Sequence, residues 1–410
     1  MRKRILFIAV IILSLLLGVG GIKKVEAQTN KILCDKDGML VINNKRTFII
    51  GSYYLPKEAN PYKELAINGY NYIKVKGSGY ELDSAWHYHL RTWVSTGSIK
   101  NNSQKDKNRI AELVNRIKGH PSLMCFEMED EPAFTWNSAE LRIPPEQMQT
   151  TYRLIKQNDP QHFVITNHGP VNLISTLQKY NSSTDIVSCD IYPVIPHGIK
   201  VGYALYPDGF QGDLLNTYIS QVGEYVDKMK KVVNNLKPVF MVLQGFAWEM
   251  LKPEDKRDNQ MILYPTFDES RFMAWDAIVH GATGIIYWGT DFTPQPSEFM
   301  DNLNRVTKEL ASLKNVLASK NESLSIKKEY HELRYSVDRG VEFIAKRVKD
   351  KTYLITVNSD KNPVKITFHN LNKFKIVRVL NENRTISLEE GKLTDSYKPF
   401  DVHIYELSKQ

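Results

Sequence analysis

His120-Pro121-Ser122-Leu123-Met124-Cys125-Phe126-Glu127-Met128-Glu129-Asp130-Glu131-Pro132 opens apolar, turns acidic and closes on a proline. A short apolar run of this kind is the pattern of a strand buried on both faces. The proline, with no N–H to give to a ladder, stops it. The acidic residues are thus carried to the C-terminal mouth of the strand. Burying such a cluster is costly unless the charges are used, which makes Glu131 the first candidate for a catalytic acid. The plainer alternative is an acidic loop at a strand end with no chemistry.

Runs of the same kind recur on both sides. Strands are predicted at 47–55, 71–76, 89–94, 123–129, 162–167, 185–191, 238–243 and 284–288, with helical stretches at 107–118, 145–158, 218–236, 269–280 and 298–317. Strands alternating with helices make an α/β protein with a parallel sheet, and the count of eight favours a closed TIM (β/α)8 barrel over an open doubly wound sheet. From about residue 323 the character changes. Val341 to Ala345, Thr352 to Val357 and Val364 to Phe368 alternate at strand period between Asp, Asn, Lys and Gly turns. That pattern predicts a small antiparallel β-sandwich, closed by a strand from Phe400 to Leu407. The expected division of the 410 residues is a signal segment at 1–27, a barrel at 28–320 and a sandwich at 321–410 that stabilises but does not catalyse.

Arg2, Lys3 and Arg4 precede an apolar run from Ile5 to Val19, and Val25-Glu26-Ala27 supplies a small-x-small cleavage pattern. A cleaved secretory signal is expected, with a mature chain starting at Gln28 and located outside the cytoplasm: secreted, periplasmic or at the cell surface. The competing reading is an uncleaved membrane anchor, since the run approaches the lower limit of about 17 residues for a span. The formal charge is +8, but residues 1–27 hold five Lys or Arg and one Glu, leaving 49 basic and 45 acidic residues in the rest. With basic residues scattered, nucleic acid is not an expected partner. Cys34, Cys125 and Cys189 are an odd, dispersed set, so the fold does not rest on a disulfide framework. A contact between Cys125 and Cys189, both on predicted strands, is left open. No cofactor is expected, because no nucleotide-binding glycine fingerprint is present.

Three stretches carry a family resemblance: Asp37-Gly38-Met39-Leu40-Val41-Ile42-Asn43-Asn44-Lys45-Arg46-Thr47-Phe48-Ile49-Ile50-Gly51, the strand end Asp130-Glu131-Pro132, and Ala274-Trp275-Asp276-Ala277-Ile278-Val279-His280-Gly281-Ala282-Thr283-Gly284-Ile285-Ile286-Tyr287-Trp288. In their order and spacing, over most of residues 37–290, they resemble a (β/α)8 glycoside hydrolase of the large retaining clan. The C-terminal sandwich resembles the small β-domain often attached to such barrels. The resemblance implies a general acid/base Glu at the end of the fourth strand, where Glu131 stands. A glycosidic oxygen is a poor leaving group until protonated, and a Glu in a partly desolvated cleft is the expected donor. Asp130 stands where the clan usually has Asn, which puts the standard contact to a sugar 2-hydroxyl in doubt. An anion beside Glu131 would also raise its pKa.

The resemblance further implies a nucleophilic Glu at the end of the seventh strand, and here the chain departs from it. Gln244 occupies that place, and an amide cannot form the glycosyl ester. Another carboxylate then has to serve, with Asp190, Glu249 and Asp291 as candidates and Asp190 preferred; or a substrate acetamido group acts as nucleophile, oriented by Asp130; or the protein binds sugar without cleaving it. Gln244 is expected to hydrogen-bond substrate.

Aromatic residues at predicted strand ends, Tyr53, Tyr54, Trp93, Tyr192, Trp248 and Trp288, suit a carbohydrate cleft, since sugar C–H faces stack on aromatic planes. Barrel packing is the alternative for each of them. Arg91, Asn167, His168 and Lys76 are further candidates for reading hydroxyl or carboxylate groups. No metal site is expected: His87 and His89 have strand spacing without a nearby carboxylate, and His120 stands apart. The leading expectation is a secreted glycoside hydrolase acting on an oligo- or polysaccharide. The others are a substrate-assisted N-acetylhexosaminidase-like hydrolase, a silent carbohydrate-binding barrel, and an enzyme of another class on the same fold.

Overall fold

The computed structural model describes residues 31–135, 140–196, 216–331 and 337–409. The expected signal segment lies outside the described residues. The described chain begins with a three-stranded antiparallel sheet, Ile32–Cys34, Leu40–Ile42 and Lys45–Thr47. Its second hairpin turns on Asn43 and Asn44 at φ 50° and 65°, the left-handed pair that a two-residue type I′ turn requires. Ile32, Leu40 and Ile42 pack into one apolar cluster with Ile49, Tyr72, Trp93 and Phe240 of the barrel interior. The small sheet therefore plugs the amino-terminal end of the barrel and leaves the other end open.

Eight parallel strands close the barrel: β1 Ile49–Ser52, β2 Tyr72–Val75, β3 Arg91–Ser95, β4 Leu123–Glu127, β5 Phe163–His168, β6 Ile186–Ile191, β7 Val239–Gln244 and β8 Gly284–Trp288. Strand periodicity sorts their side chains between two cores. Ile186 of β6 lies in the interior cluster, while Val187, Cys189 and Ile191 join the layer under the helices. Phe240 and Val242 of β7 likewise point in, and Val239, Met241 and Leu243 point out. Continuing each inward set to the C-terminal end places Lys74, Ser95, Glu127, Asn167, Asp190, Gln244 and Trp288 around the open mouth. Cys125 belongs to the interior cluster and Cys189 to the outer layer, so the barrel wall separates them and both are free thiols.

The helices are set by caps and apolar stripes. Ser103 caps Gln104–Ile117, whose Ile110, Val114 and Ile117 face the barrel. Thr266 and Glu269 form a capping box at the start of Phe267–Val279, which is buried nearly all round from Phe272 onward. A helix apolar on every side needs cover on its outer face too, and the C-terminal domain supplies it. That domain is a six-stranded sheet in the order Lys320–Asn321, Val341–Val348, Lys351–Asn358, Val402–Ser408, Ile376–Val379, Arg384–Ser387, packed on a three-stranded sheet of Lys327–Tyr330, Val364–His369 and Leu393–Tyr397. Leu354, Ile366, Phe368 and Tyr405 fill the space between the sheets. Tyr353, Ile355, Val357, Val402 and Ile404 join the barrel core instead. Among the described residues no helix is long and apolar enough to cross a membrane.

Candidate active site

β4 ends at Glu127, where the ladder to Ser95 of β3 and Ile165 of β5 stops, two residues short of the predicted end. The chain then turns, and Glu131 takes a left-handed backbone conformation at φ 46°, held by its N–H to the Asn167 carbonyl at 3.0 Å. Such a conformation is uncommon for a residue with a side chain. Here it abolishes strand alternation, and the adjacent carboxyl groups of Asp130 and Glu131 both come to the mouth.

Glu131 and Asp190 line a pocket of about 180 Å³ together with Phe134, Gly169, Pro170, Val171, Tyr192 and Trp248. A Cβ on Gly169 would sit 2.9 Å from Glu131 Oε1, so the absence of a side chain there gives the carboxyl group its space. The Glu131 and Asp190 carboxyl groups face the same pocket, near enough that the Glu131 charge acts on Asp190. Asn167 organises the acids from below. Its Nδ2 donates to Asp130 Oδ1 and to Asp190 Oδ1, both at 3.0 Å, and its Oδ1 accepts from Ser188 Oγ at 3.0 Å. The Ser188 bond fixes which end of the amide faces the carboxylates.

Electrostatics follow from this crowding. Burial, reinforced by the Asp130 charge and opposed by Arg142, pushes Glu131 up to about 7. Burial and then the Glu131 and Asp130 charges hold Asp190 well above the usual carboxylate range. Asp130 reaches solvent at the rim, yet the protein around it, followed by the Glu127 charge, raises its pKa as well. Arg142 donates to the Asp130 carbonyl at 2.7 Å, lies 3.7 Å from Glu131 Oε2 and covers the Phe134 ring. One level down, Glu127 is 2 % exposed and bonded to Lys74 Nζ and Ser95 Oγ, each at 2.5 Å. Lys74 also lies over the Tyr53 ring.

The sequence candidates separate in space. Asp130, Glu131, Asn167, Asp190 and Tyr192 converge on the mouth. Tyr192 stacks on Trp288 at 5.5 Å, with Phe246 and Trp248 edge-on, forming an aromatic wall. Tyr53 lies at the floor, edge-on to Trp93 at 5.3 Å. Trp93 itself is 1 % exposed and stacked on Tyr72 within the barrel, where it fills the core. Arg91 starts β3 at the amino-terminal end. It donates to the Pro121 carbonyl and lies over Trp86, far from the mouth along its strand, because the strand begins there and does not end there. Gln244 faces inward but is fully buried. It donates to the Val194 and Phe246 carbonyls and accepts from the Val194 N–H, all at 3.0 Å, so its amide is spent on the loops after β6 and β7 and not on the pocket.

Of the other two carboxylate candidates, Glu249 is bound by Lys252 and the Asp258 N–H, and Asp291 lies beside Lys57. His168 turns its ring toward Tyr180, and Lys76 is exposed. Sequence reasoning missed Lys74, Ser95 and Glu127, although two-residue alternation from Tyr72, Trp93 and Cys125 points to each of them. It also missed Arg142, which arrives from a loop without any local pattern.

The class this architecture defines is the closed (β/α)8 barrel with a C-terminal β-domain, a fold shared with solved glycoside hydrolases. The chain is similar to a glycoside hydrolase family 5 structure from Bacteroides vulgatus ATCC 8482, with TM-score 0.59 and 14% identity over 93% of this chain and 94% of that one. It is also similar to a family 27 β-L-arabinopyranosidase from Geobacillus stearothermophilus in complex with arabinose, with TM-score 0.56 and 10% identity over 88% of this chain and 97% of that one. A third similarity is to an α-amylase from Geobacillus thermoleovorans complexed with acarbose, with TM-score 0.55 and 10% identity over 92% of this chain and 100% of that one. At these identities the likeness is one of fold. No family model matches the chain, and no curated protein matches it in sequence.

Proposed function

We propose that the protein is a glycoside hydrolase in which Glu131 protonates the glycosidic oxygen. The observation that carries this reading is the Glu131 carboxyl group itself: pushed up to about 7, beside Asp190, and set against an aromatic pocket at the C-terminal mouth. An acid whose pKa lies near the working pH is both protonated and ready to give its proton up. As the bond breaks, positive charge grows on the anomeric carbon and ring oxygen, and the acidic mouth around Glu131 favours that charge. The aromatic wall of Tyr192, Trp248 and Trp288 suits the apolar face of a sugar. Complexes of the similar folds with arabinose and acarbose support a carbohydrate ligand in this cleft.

Two-carboxylate mechanisms hold their groups about 5–5.5 Å apart for retention or about 6.5–9.5 Å apart for inversion, and Glu131 and Asp190 line one pocket. Asp190 is the candidate for the second carboxylate. In a second reading of the attacking group, the acetamide of an N-acetylated sugar attacks and Asp130 orients it. The left-handed turn at Glu131 meets that requirement by bringing both neighbours to the mouth.

Turnover of a panel of nitrophenyl glycosides and polysaccharides tests both readings. Cleavage confined to N-acetylated sugars selects the acetamide route, and cleavage of sugars without the acetamide removes it. Sugar binding by calorimetry with no turnover makes the protein a silent binding barrel. Export belongs to the same proposal, supported by the basic, apolar and small-x-small segments of residues 1–27. N-terminal sequencing of secreted material is expected to begin near Gln28, whereas intact Met1 in a membrane fraction makes it an anchored protein.

A further inference from the structure

Away from the mouth, a second cluster joins the barrel to the sandwich. Asp276 lies in the helix Phe267–Val279, His280 follows that helix as its C-terminal cap, and Glu342 is the second residue of the strand Val341–Val348. His280 Nε2 is 3.1 Å from Glu342 Oε2 and 3.7 Å from Asp276 Oδ1, and the three candidate donor atoms lie within 4.8 Å of one another. We propose that these three side chains bind one zinc ion, which ties the barrel to the sandwich.

Geometry comes first. Zinc bonds of about 2.0–2.2 Å at tetrahedral angles place neighbouring ligand atoms about 3.3–3.6 Å apart, and the His280–Glu342 and His280–Asp276 distances of 3.1 and 3.7 Å bracket that range, so small side-chain adjustments reach it. The other half of the imidazole agrees. His280 Nδ1 lies 2.8 Å from Asp227 Oδ2 of the helix Gln221–Val232. A proton held on Nδ1 by that carboxylate leaves the Nε2 lone pair facing Asp276 and Glu342, the arrangement of a histidine oriented to ligate a metal. Both carboxylates are supported as well, Asp276 Oδ2 by the Gly223 N–H at 2.7 Å and Glu342 Oε2 by Ser359 Oγ at 2.7 Å.

Asp276 supplies the independent pointer. It is fully buried, and its Oδ1 has no hydrogen-bond partner while facing His280. A buried carboxylate oxygen left without a donor is costly, and a single proton on Nε2 reaches one carboxylate better than the other. A divalent cation satisfies all three donors at once. One imidazole nitrogen and two carboxylate oxygens suit zinc better than magnesium or calcium, which prefer all-oxygen sites. Water completes the fourth position. Gly223 gives the site its room, since a Cβ there would stand 2.3 Å from the His280 ring.

The test is calorimetric titration of the full chain with zinc chloride after dialysis against a chelator. One zinc per chain is expected to bind with micromolar or tighter affinity, to raise Tm, and to do neither with magnesium or calcium. Glu342→Gln and His280→Gln are expected to weaken binding by at least about 100-fold, and Asp227→Asn by about 10–100-fold. Cobalt bound in place of zinc is expected to show the visible absorption of a four-coordinate ion in the wild type and not in the variants. Glu342 is partly exposed on the sheet surface, so its near-isosteric variant keeps the fold, which circular dichroism verifies. Absence of saturable zinc binding in the wild type overturns the proposal, leaving His280 as an imidazolium held between carboxylates. Binding that survives in both Glu342→Gln and His280→Gln overturns it equally.

Discussion

The Glu131 carboxyl group, in the turn after β4, shares a pocket with the Asp190 carboxyl group near the end of β6, and its charge helps to raise the Asp190 pKa. Two buried carboxylates in one pocket disfavour each other's ionisation, so both hold a proton more tightly than in water. Their titration belongs to the pair. Asn167 holds Asp190 and Asp130 through its Nδ2, and Glu131 and Asp190 both face the pocket.

Stability should respond to that proton. The folded Glu131 titrates at about 7 against an ordinary 4.5, and Asp190 is raised in the same direction. A raised carboxyl pKa means that the native state keeps a proton the unfolded chain has lost. The associated stability is complete below the unfolded pKa and is lost as pH rises through the folded one. Wild-type Tm is expected to fall between about pH 5 and pH 8. Calorimetry of Glu131→Gln, which has no proton to lose there, is expected to show a shallower dependence; an unchanged slope would assign the titration to another group.

Turnover should depend on the same acid. Glu131→Gln is expected to keep the fold and lower kcat by at least about 100-fold, less for leaving groups that need no protonation. In the wild type, kcat is expected to decline above about pH 7, where Glu131 becomes ionised. Activity within a few-fold of wild type would remove Glu131 from the role of donor.

Ser188 acts at one remove, as a positioning residue. Its hydroxyl is bonded to Asn167 Oδ1, and Ser188→Ala leaves that amide free to rotate, at a cost of about 1 kcal/mol. The expected result is a fall in kcat of about 10-fold with a displaced basic limb in the pH profile. Ser188→Thr retains the hydroxyl and is expected to recover most of the activity. A profile unmoved by Ser188→Ala would show that Asn167 needs no such hold.

Gln244→Glu separates a structural from a chemical position. The amide donates to two buried carbonyls, and a carboxylate placed there would face both without a proton. Destabilisation on the order of 3 kcal/mol is expected, with no gain in turnover. A stable variant with enhanced hydrolysis would instead show that this side chain reaches the substrate.

Removal of residues 321–410 should cost solubility. Tyr353, Ile355, Val357, Val402 and Ile404 lie in the same core as Phe272 and Trp275 of the barrel, and each fully buried large apolar side chain is worth about 1.5–3 kcal/mol. Arg271 also reaches across, donating to the Val402 carbonyl at 3.0 Å. The truncated chain is expected to aggregate, as read by its partition between soluble and pelleted fractions. A soluble barrel that has lost activity because a side chain of the sandwich is missing from the pocket would make the domain part of the site.

What the amino-acid order determines by itself is local. Apolar runs at strand length, their alternation with amphipathic helices and the later switch to two-residue alternation were sufficient for a barrel followed by a sandwich, because those patterns record which faces must be buried. The same logic located Glu131, Asp190, Asn167 and Tyr192 at strand ends. It failed for Arg91 and Trp93, since strand membership does not say which end of a short strand, or which depth of the barrel, a side chain occupies. Gln244 lay on the predicted inward face, but its partners Val194 and Phe246 come from loops that only the closed barrel brings to it. Tertiary structure alone decided that Glu131 and Asp190 share one pocket. Their meeting spans 59 positions of chain and depends on a left-handed turn at residue 131, and neither is written in the residue types on either side.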